Sequence, residues 1–205
     1  MSKCSIYIKN KNANLPSVIS ILSEKEKEYA SQLKGDRQEE FITSRSWVKT
    51  ILARHLNCSP ATIIISKTDS GKPFIKHSPI HFSVSHSNKL LALGISTSQI
   101  GVDIQEKREI DHEKILTRLF PEYKLAQPEL FYKLWTQYEA LVKALGKSIF
   151  TTREHPFTQT ILSHLSSKNT LRSPKISYHS NEFQNYMFST VICGHINHIE
   201  YYKDL

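Results

Sequence analysis

The sequence is short of cysteine, of long apolar runs and of acid. Cys4, Cys58 and Cys193 are its three cysteines in 205 residues; odd in number, scattered and free of any C-x-x-C, they encode neither a disulfide framework nor a zinc site. No apolar run approaches the roughly 18 residues of a membrane span, and the start, MSKCSIYIKNKNANLP, has no apolar h-region with a small-residue cleavage site. The expectation is a reduced, cytoplasmic chain without membrane attachment. Nineteen Asp and Glu against 27 Lys and Arg leave a formal charge of +8 and a pI near 9.3, which favours an anionic partner. The basic residues are spread rather than gathered into one block, which weakens a nucleic-acid reading. G-x-x-x-x-G-K-[ST], G-x-S-x-G and helical H-E-x-x-H are all missing, so P-loop, α/β-hydrolase and zincin chemistry have no support. No segment is rich enough in Pro and Gly to suggest disorder. A chain of this length folds as one compact unit, with one good core or two small packed halves.

Periodicity supplies the elements. Residues 23–57 read as helix interrupted near Gly35, with Phe41, Val48, Ile51, Leu52 and Leu56 at helical spacing in the second part. A short strand and a turn follow. Runs 81–85, 90–96 and 100–104 then read as three strands with short polar linkers, the pattern of a meander. A segment broken at Pro121 and Pro128 reads as a surface connection. Phe131, Leu134, Tyr138, Leu141, Val142 and Leu145 mark a strong helix stopped at Gly146, and KISYHS, YMFSTVICG and IEYYKDL look like strands. Helix, sheet, helix, sheet suggests an α+β fold of two halves.

Several residues invite two readings. Arg45 lies close to an apolar stripe, where an arginine either snorkels or reaches for an anion. In IGVDIQ, alternation sends Ile100, Val102 and Ile104 to one face and Gly101, Asp103 and Gln105 to the other; that polar face looks at water or lines a site. Trp135, Glu139 and Lys143 share one helix face. Alone, Glu139 and Lys143 make a surface pair worth about 0.3–0.5 kcal/mol. If Glu139 faces Asp103, two carboxylates could hold a hard cation such as Mg²⁺. HFSVSHS, ending in His86 and Ser87, is an ordinary half-buried strand or a source of hydroxyls, and SGKP at 70–73 is first a turn signal. His195 and His198 have H-x-x-H spacing, yet they sit beside Gly194 with no acidic partner and no helix, as a solvated turn would.

GKP at 71–73, FSVSHS at 82–87, GVDIQ at 101–105 and WTQYEALVKALG at 135–146 occur in one order. That order resembles the 4′-phosphopantetheinyl transferases of the surfactin-synthetase-activating type, whose pattern runs G-[KR]-P, F-[NS]-x-S-H-[ST], G-[VI]-D-[IVL]-E and W-[ST]-x-K-E-[AS]-x-x-K-x-x-G. The helix EEFITSRSWVKTILARHL looks like the family's arginine-bearing helix; residues after 150 match only in general character. The resemblance implies two similar α+β halves about a pseudo-twofold axis, here 1–100 and 101–205, with coenzyme A in the cleft between them. It implies transfer of the phosphopantetheine arm of CoA to a serine of an acidic apo acyl or peptidyl carrier protein, releasing adenosine 3′,5′-bisphosphate. Asp103 and Glu139 would ligate Mg²⁺ or Mn²⁺, with Gln105 in a third, softened ligand position. Glu139 would take the serine proton, Lys143 would bind the pyrophosphate, and Arg45, Lys72, Ser85 and His86 would contact CoA, with His86 counted beside Glu139 and Lys143 among the catalytic residues. Gly101 would give the substrate close access. An intramolecular pseudo-dimer needs no partner chain, so a monomer is expected, without nucleic acid or membrane.

Two departures stand out: Gln105 replaces a common Glu, and Tyr138 a common Lys. Glu106 would not substitute, because alternation sends it to the opposite face. The rival readings are a non-catalytic CoA- or carrier-protein-binding module, a basic RNA- or DNA-binding protein, and a metal-dependent phosphohydrolase. Which carrier the protein serves is not encoded in these motifs.

Overall fold

The computed structural model describes residues 3–11, 17–109, 112, 114–115, 130–147, 172–173, 176–194 and 198–204. Strand β1 (Lys3–Asn10) opens the chain, followed by helices α1 (Glu24–Gln32) and α2 (Asp36–Leu56). The break expected near Gly35 is there. α1 begins where Ser23 and Glu26 form a capping box: the Ser23 hydroxyl accepts the Glu26 N–H and the Glu26 carboxylate accepts the Ser23 N–H. α2 has Asp36 and Glu39 in its first turn and Arg54 and His55 in its last, which suits the helix dipole at both ends.

Next come β2 (Ile65–Lys67) and β3 (Pro73–Ile75), a small antiparallel pair, then β4 (His81–Ser87), β5 (Leu90–Ser96) and β6 (Ile100–Glu106). Helix α3 (Phe131–Leu145) precedes β7 (Arg172–Ser173), β8 (Ile176–Phe183), β9 (Tyr186–Ile192) and β10 (His198–Asp204). The strands form one sheet ordered β10-β1-β5-β4 and another ordered β6-β9-β8-β7. No helix among the described residues is long and apolar enough to cross a membrane.

The layers follow from alternation. Cys4, Ile6, Ile8, Leu90 and Ala92 of the first sheet meet Ile100, Val102, Ile104, Phe188 and Ile192 of the second in one buried core. Burying each Leu or Ile there is worth roughly 1.5–3 kcal/mol. The outer face of the first sheet, with Phe82, Leu93 and Ile95, carries Val48, Ile51, Leu52 and Ala53 of α2. The outer face of the second, with Tyr178, Met187 and Val191, carries α3. An α+β protein results, with two facing sheets between α2 and α3.

The meander expectation fails at its third strand. β4 and β5 pair as a hairpin, but β6 leaves for the second sheet and pairs with β9. A strand whose residues 100–104 are all buried needs cover on both faces, which the edge of a three-stranded ribbon lacks. β1 was not foreseen, although Cys4, Ile6 and Ile8 alternate clearly; it sits in the middle of the first sheet, antiparallel to β5 and parallel to β10. β10, from the 101–205 stretch, therefore runs in the first sheet. Pro121, Pro128 and most of the expected surface connection lie outside the described residues.

Candidate active site

β4 and β6 are edge strands of different sheets, and they run side by side without backbone pairing. Serine hydroxyls replace it: Ser83, Ser85 and Ser87 accept the N–H groups of Val102, Ile104 and Glu106 at 3.1, 3.4 and 2.9 Å. The alternation of HFSVSHS puts the three hydroxyls on one face, and the one in the middle also reaches a carboxylate. Ser85 Oγ donates to Asp103 Oδ1 at 2.7 Å. Lys143 Nζ donates to the same oxygen at 2.6 Å and to Ser85 Oγ at 3.0 Å. Gln105 Nε2 donates to Asp103 Oδ2 at 3.3 Å.

α3 reaches this position because β6 has a glycine there. A Cβ on Gly101 would lie 1.9 Å from the Ala140 carbonyl oxygen and 2.4 Å from the Ala144 nitrogen. The expectation that Gly101 clears space for a substrate is therefore corrected: the space it leaves is filled by the helix backbone. That close approach brings Glu139 and Lys143 over Asp103, as the shared face of Trp135, Glu139 and Lys143 requires. Asp103 is 1 % exposed, and the Lys143 side chain keeps 30 % of its exposure. Burial raises the Glu139 carboxyl above its ordinary range, the neighbouring Asp103 charge raises it further, and Lys143 opposes both. Two carboxylates and one ammonium thus share the site. Such a pair can hold or accept a proton, and it carries one negative charge in excess.

Behind Asp103, Ser189 stands directly opposite on β9. Its hydroxyl bonds Thr136 Oγ1 of α3 at 2.7 Å and Ser180 Oγ of β8 at 2.8 Å. These hydroxyls and Ser83 were not singled out in the sequence, and Ser87 was named only as part of a hydroxyl-rich strand. The alternation was visible, but not what it faced.

The other expected residues lie apart from this network. His86 is exposed on the α2 side of β4; there the bonded Lys11 ammonium, with a smaller pull from His86, lowers the Glu40 carboxyl. Arg45 lies over the Phe41 ring, its carbon 5.4 Å from the centroid, and pairs with Glu26 at 3.4 Å. Lys72 donates to the Ala144 carbonyl at 2.6 Å, and burial lowers its ammonium to about 8. Tyr138, at the position of a common lysine, is 1 % exposed in the core beneath α3. Glu106 bonds Asn88 and Arg108 instead of joining Asp103. His195 lies outside the described residues; His198 is 3.9 Å from Glu200. Among the described residues, no three His, Cys, Asp or Glu side chains gather as a metal cluster.

The family model described as the 4′-phosphopantetheinyl transferase superfamily matches residues 99–191. The matched stretch contains Asp103, Gln105, Glu139 and Lys143, the carboxylate side of the site. Ser85, His86, Lys72 and Arg45 precede it. The chain is 29% identical over 155 residues to 4′-phosphopantetheinyl transferase gsp of Aneurinibacillus migulanus, an alignment taking in 69% of this chain and 63% of that protein. It is 31% identical over 112 residues to 4′-phosphopantetheinyl transferase Sfp of Bacillus subtilis strain 168, with 50% of each chain covered. It is 33% identical over 120 residues to 4′-phosphopantetheinyl transferase psf-1 of Bacillus pumilus, with 51% of each covered. The chain thus spans between half and somewhat under two thirds of these superfamily relatives.

Proposed function

We propose that this protein is a 4′-phosphopantetheinyl transferase that moves the phosphopantetheine arm of coenzyme A onto a serine of an acidic apo acyl or peptidyl carrier protein and releases adenosine 3′,5′-bisphosphate. The observation that carries the reading is the buried Asp103, bonded to Ser85 and Lys143 with Glu139 beside it, at the junction of β4, β6 and α3.

In this reading the carrier serine oxygen bonds to the phosphorus that bears the pantetheine arm. The bond from that phosphorus to the oxygen of the departing adenosine bisphosphate breaks. Glu139 takes the serine proton, a role its raised affinity for protons supports. Lys143, partly exposed, turns its ammonium to the pyrophosphate oxygens. Ser85 and Gln105 hold Asp103 in place. His86 and Arg45 supply positive charge for the phosphates of CoA from the β4 and α2 side. A basic chain of charge +8 also draws in an acidic carrier.

The donor set fits a hard divalent cation, Mg²⁺ or Mn²⁺: two carboxylates with one excess negative charge, and room for a neutral oxygen from Gln105. Bound between Asp103 and Glu139, it would neutralise the pyrophosphate and support the charge of the departing phosphate. The two halves of the proposed pseudo-twofold arrangement, divided near residue 100 except that β10 completes the first sheet, would each offer a sheet and a helix to the cleft. The side-by-side run of β4 and β6 supports that arrangement. With both halves in one chain, a monomer suffices.

One observation favours a non-catalytic CoA- or carrier-binding module: Gln105 presents its amide N–H₂ to Asp103, where a third carboxylate is common in the family pattern. The deciding experiment incubates the purified protein with CoA, Mg²⁺ and a panel of apo carrier proteins, and reads intact carrier masses. A gain of one phosphopantetheine, abolished by Asp103→Ala and by Glu139→Ala, is expected. CoA binding without any carrier gaining mass would replace the transferase with the binding module.

A further inference from the structure

The turn before β3 carries a cation that the chemistry above leaves unused. Thr68 and Lys72 close it: Gly71 N donates to Thr68 O at 2.8 Å, Thr68 N to Lys72 O at 2.9 Å, and Lys72 N to Thr68 Oγ1 at 3.1 Å. Gly71, at φ 85°, occupies the left-handed region such a turn needs. Pro73 then fixes the chain into β3. The base of the Lys72 side chain is therefore rigid, while its ammonium ends on helix α3.

That helix end offers a carbonyl to a side chain. Lys147 N bonds Val142 O at 3.1 Å and Gly146 N bonds Lys143 O at 3.2 Å, with Gly146 at φ 62°. This is a Schellman closure, and among the described residues no main-chain N–H meets the Ala144 carbonyl. Lys72 Nζ fills that place at 2.6 Å, putting positive charge where the helix dipole is negative. Its stem lies against Gly146, where an added Cβ would come within 3.2 Å of Lys72 Cδ. The same helix turn also presses on Gly101, with Ala140 O and Ala144 N too close to admit a Cβ. The last turn of α3 is thus gripped at Ala144 by both Gly101 of β6 and Lys72 of the 68–72 turn. Lys143 directly precedes the gripped residue, and Glu139 lies one turn earlier.

We infer that Lys72 is a positioning residue: through the Ala144 carbonyl it sets where α3 holds Glu139 and Lys143 against Asp103. This rests on the transferase reading, and it departs from the expectation that Lys72 contacts CoA. GKP then has a physical meaning of its own, in which glycine makes the turn, lysine clamps the helix and proline directs the strand.

The test compares wild type with Lys72→Met, which keeps the stem and loses the charge, and with Lys72→Arg, which keeps the charge. Two quantities are read: amide hydrogen exchange at Gly146 and Lys147 in the free protein, and kcat and KM for CoA in carrier modification. Lys72→Met is expected to exchange about tenfold faster at those amides and to lose about ten- to a hundredfold in kcat with KM for CoA unchanged; Lys72→Arg recovers part of both. Unchanged exchange, or a raised KM for CoA with kcat intact, would overturn the inference and make Lys72 a phosphate ligand. If wild type modifies no carrier, the transferase reading fails by itself. The exchange comparison then decides whether Lys72 clamps α3. Should Lys72→Met not fold, Lys72→Arg against wild type carries the exchange measurement, with loss of protection expected to be partial and its complete absence overturning the clamp.

Discussion

Glu26 and Asp103 are both buried carboxylates bonded to a serine hydroxyl and a lysine ammonium, and their surroundings differ in one respect that separates scaffold from site. Glu26 accepts from Ser23 Oγ at 3.1 Å and Lys49 Nζ at 3.2 Å, with Arg45 Nε at 3.4 Å. One carboxylate there meets two cations. Asp103 accepts from Ser85 and Lys143 but has Glu139 beside it, so two carboxylates share one ammonium. The first cluster joins α1 to α2 and has one positive charge in excess, so it has no need of a further cation. The second is short of positive charge, which a bound cation would supply. The lysines of the two clusters differ as well: the Lys49 side chain is fully buried, while that of Lys143 keeps 30 % exposure.

The largest expected effects come from neutralising each carboxylate in turn. Asp103→Asn should lower carrier modification by about 10³-fold, the scale of a lost electrostatic contact to the developing charge. Lys143 can turn to water in that variant, so the cost in stability is small. Glu26→Gln should do the reverse: it strands Lys49 in the core and costs about 3 kcal/mol of folding free energy by urea unfolding, with kcat retained. Loss of activity in both variants, or of stability in both, would erase the distinction.

Glu139 sharpens the comparison through pH. Its carboxyl is raised in the folded protein, chiefly by burial and then by Asp103. The folded state therefore favours its protonated form. The associated stability is present at acid pH and is lost as pH rises through the raised value. In metal-free protein at neutral pH, Glu139→Gln should raise the unfolding midpoint while abolishing carrier modification. A lowered midpoint would contradict the strained-carboxylate picture. The smallest effect is expected from Gln105→Glu, which adds a third carboxylate and should reduce the Mg²⁺ concentration for half-maximal rate by about tenfold. An unchanged requirement would place residue 105 away from the cation.

The sequence made much of the site legible, because the relevant signals are local. Alternation put Gly101, Asp103 and Gln105 on one face, and helical spacing put Glu139 and Lys143 on another. What joins those faces is nonlocal. That β6 would abandon β5 for β9, or that β1 and β10 from opposite ends of the chain would lie parallel, depends on packing that no window of residues contains. Gly101 illustrates the limit: its pattern marked close approach, but not that a helix rather than a ligand approaches. Arg45 was equally undecided between an apolar stripe and an anion, and its ion-pair partner, Glu26, sits on a separate helix. The α+β class and the resemblance to the superfamily were readable; the serine seam between β4 and β6 emerged only when the two strands were placed side by side.

The central claim is that Asp103 and Glu139 form a cation site and Glu26 does not. Calorimetric titration of Mg²⁺ into the CoA-loaded protein tests it most directly. The account predicts one Mg²⁺ per chain in wild type, retained in Glu26→Gln and lost in Asp103→Asn and Glu139→Gln. Undiminished Mg²⁺ binding in the Asp103 and Glu139 variants, or none in wild type, would contradict it.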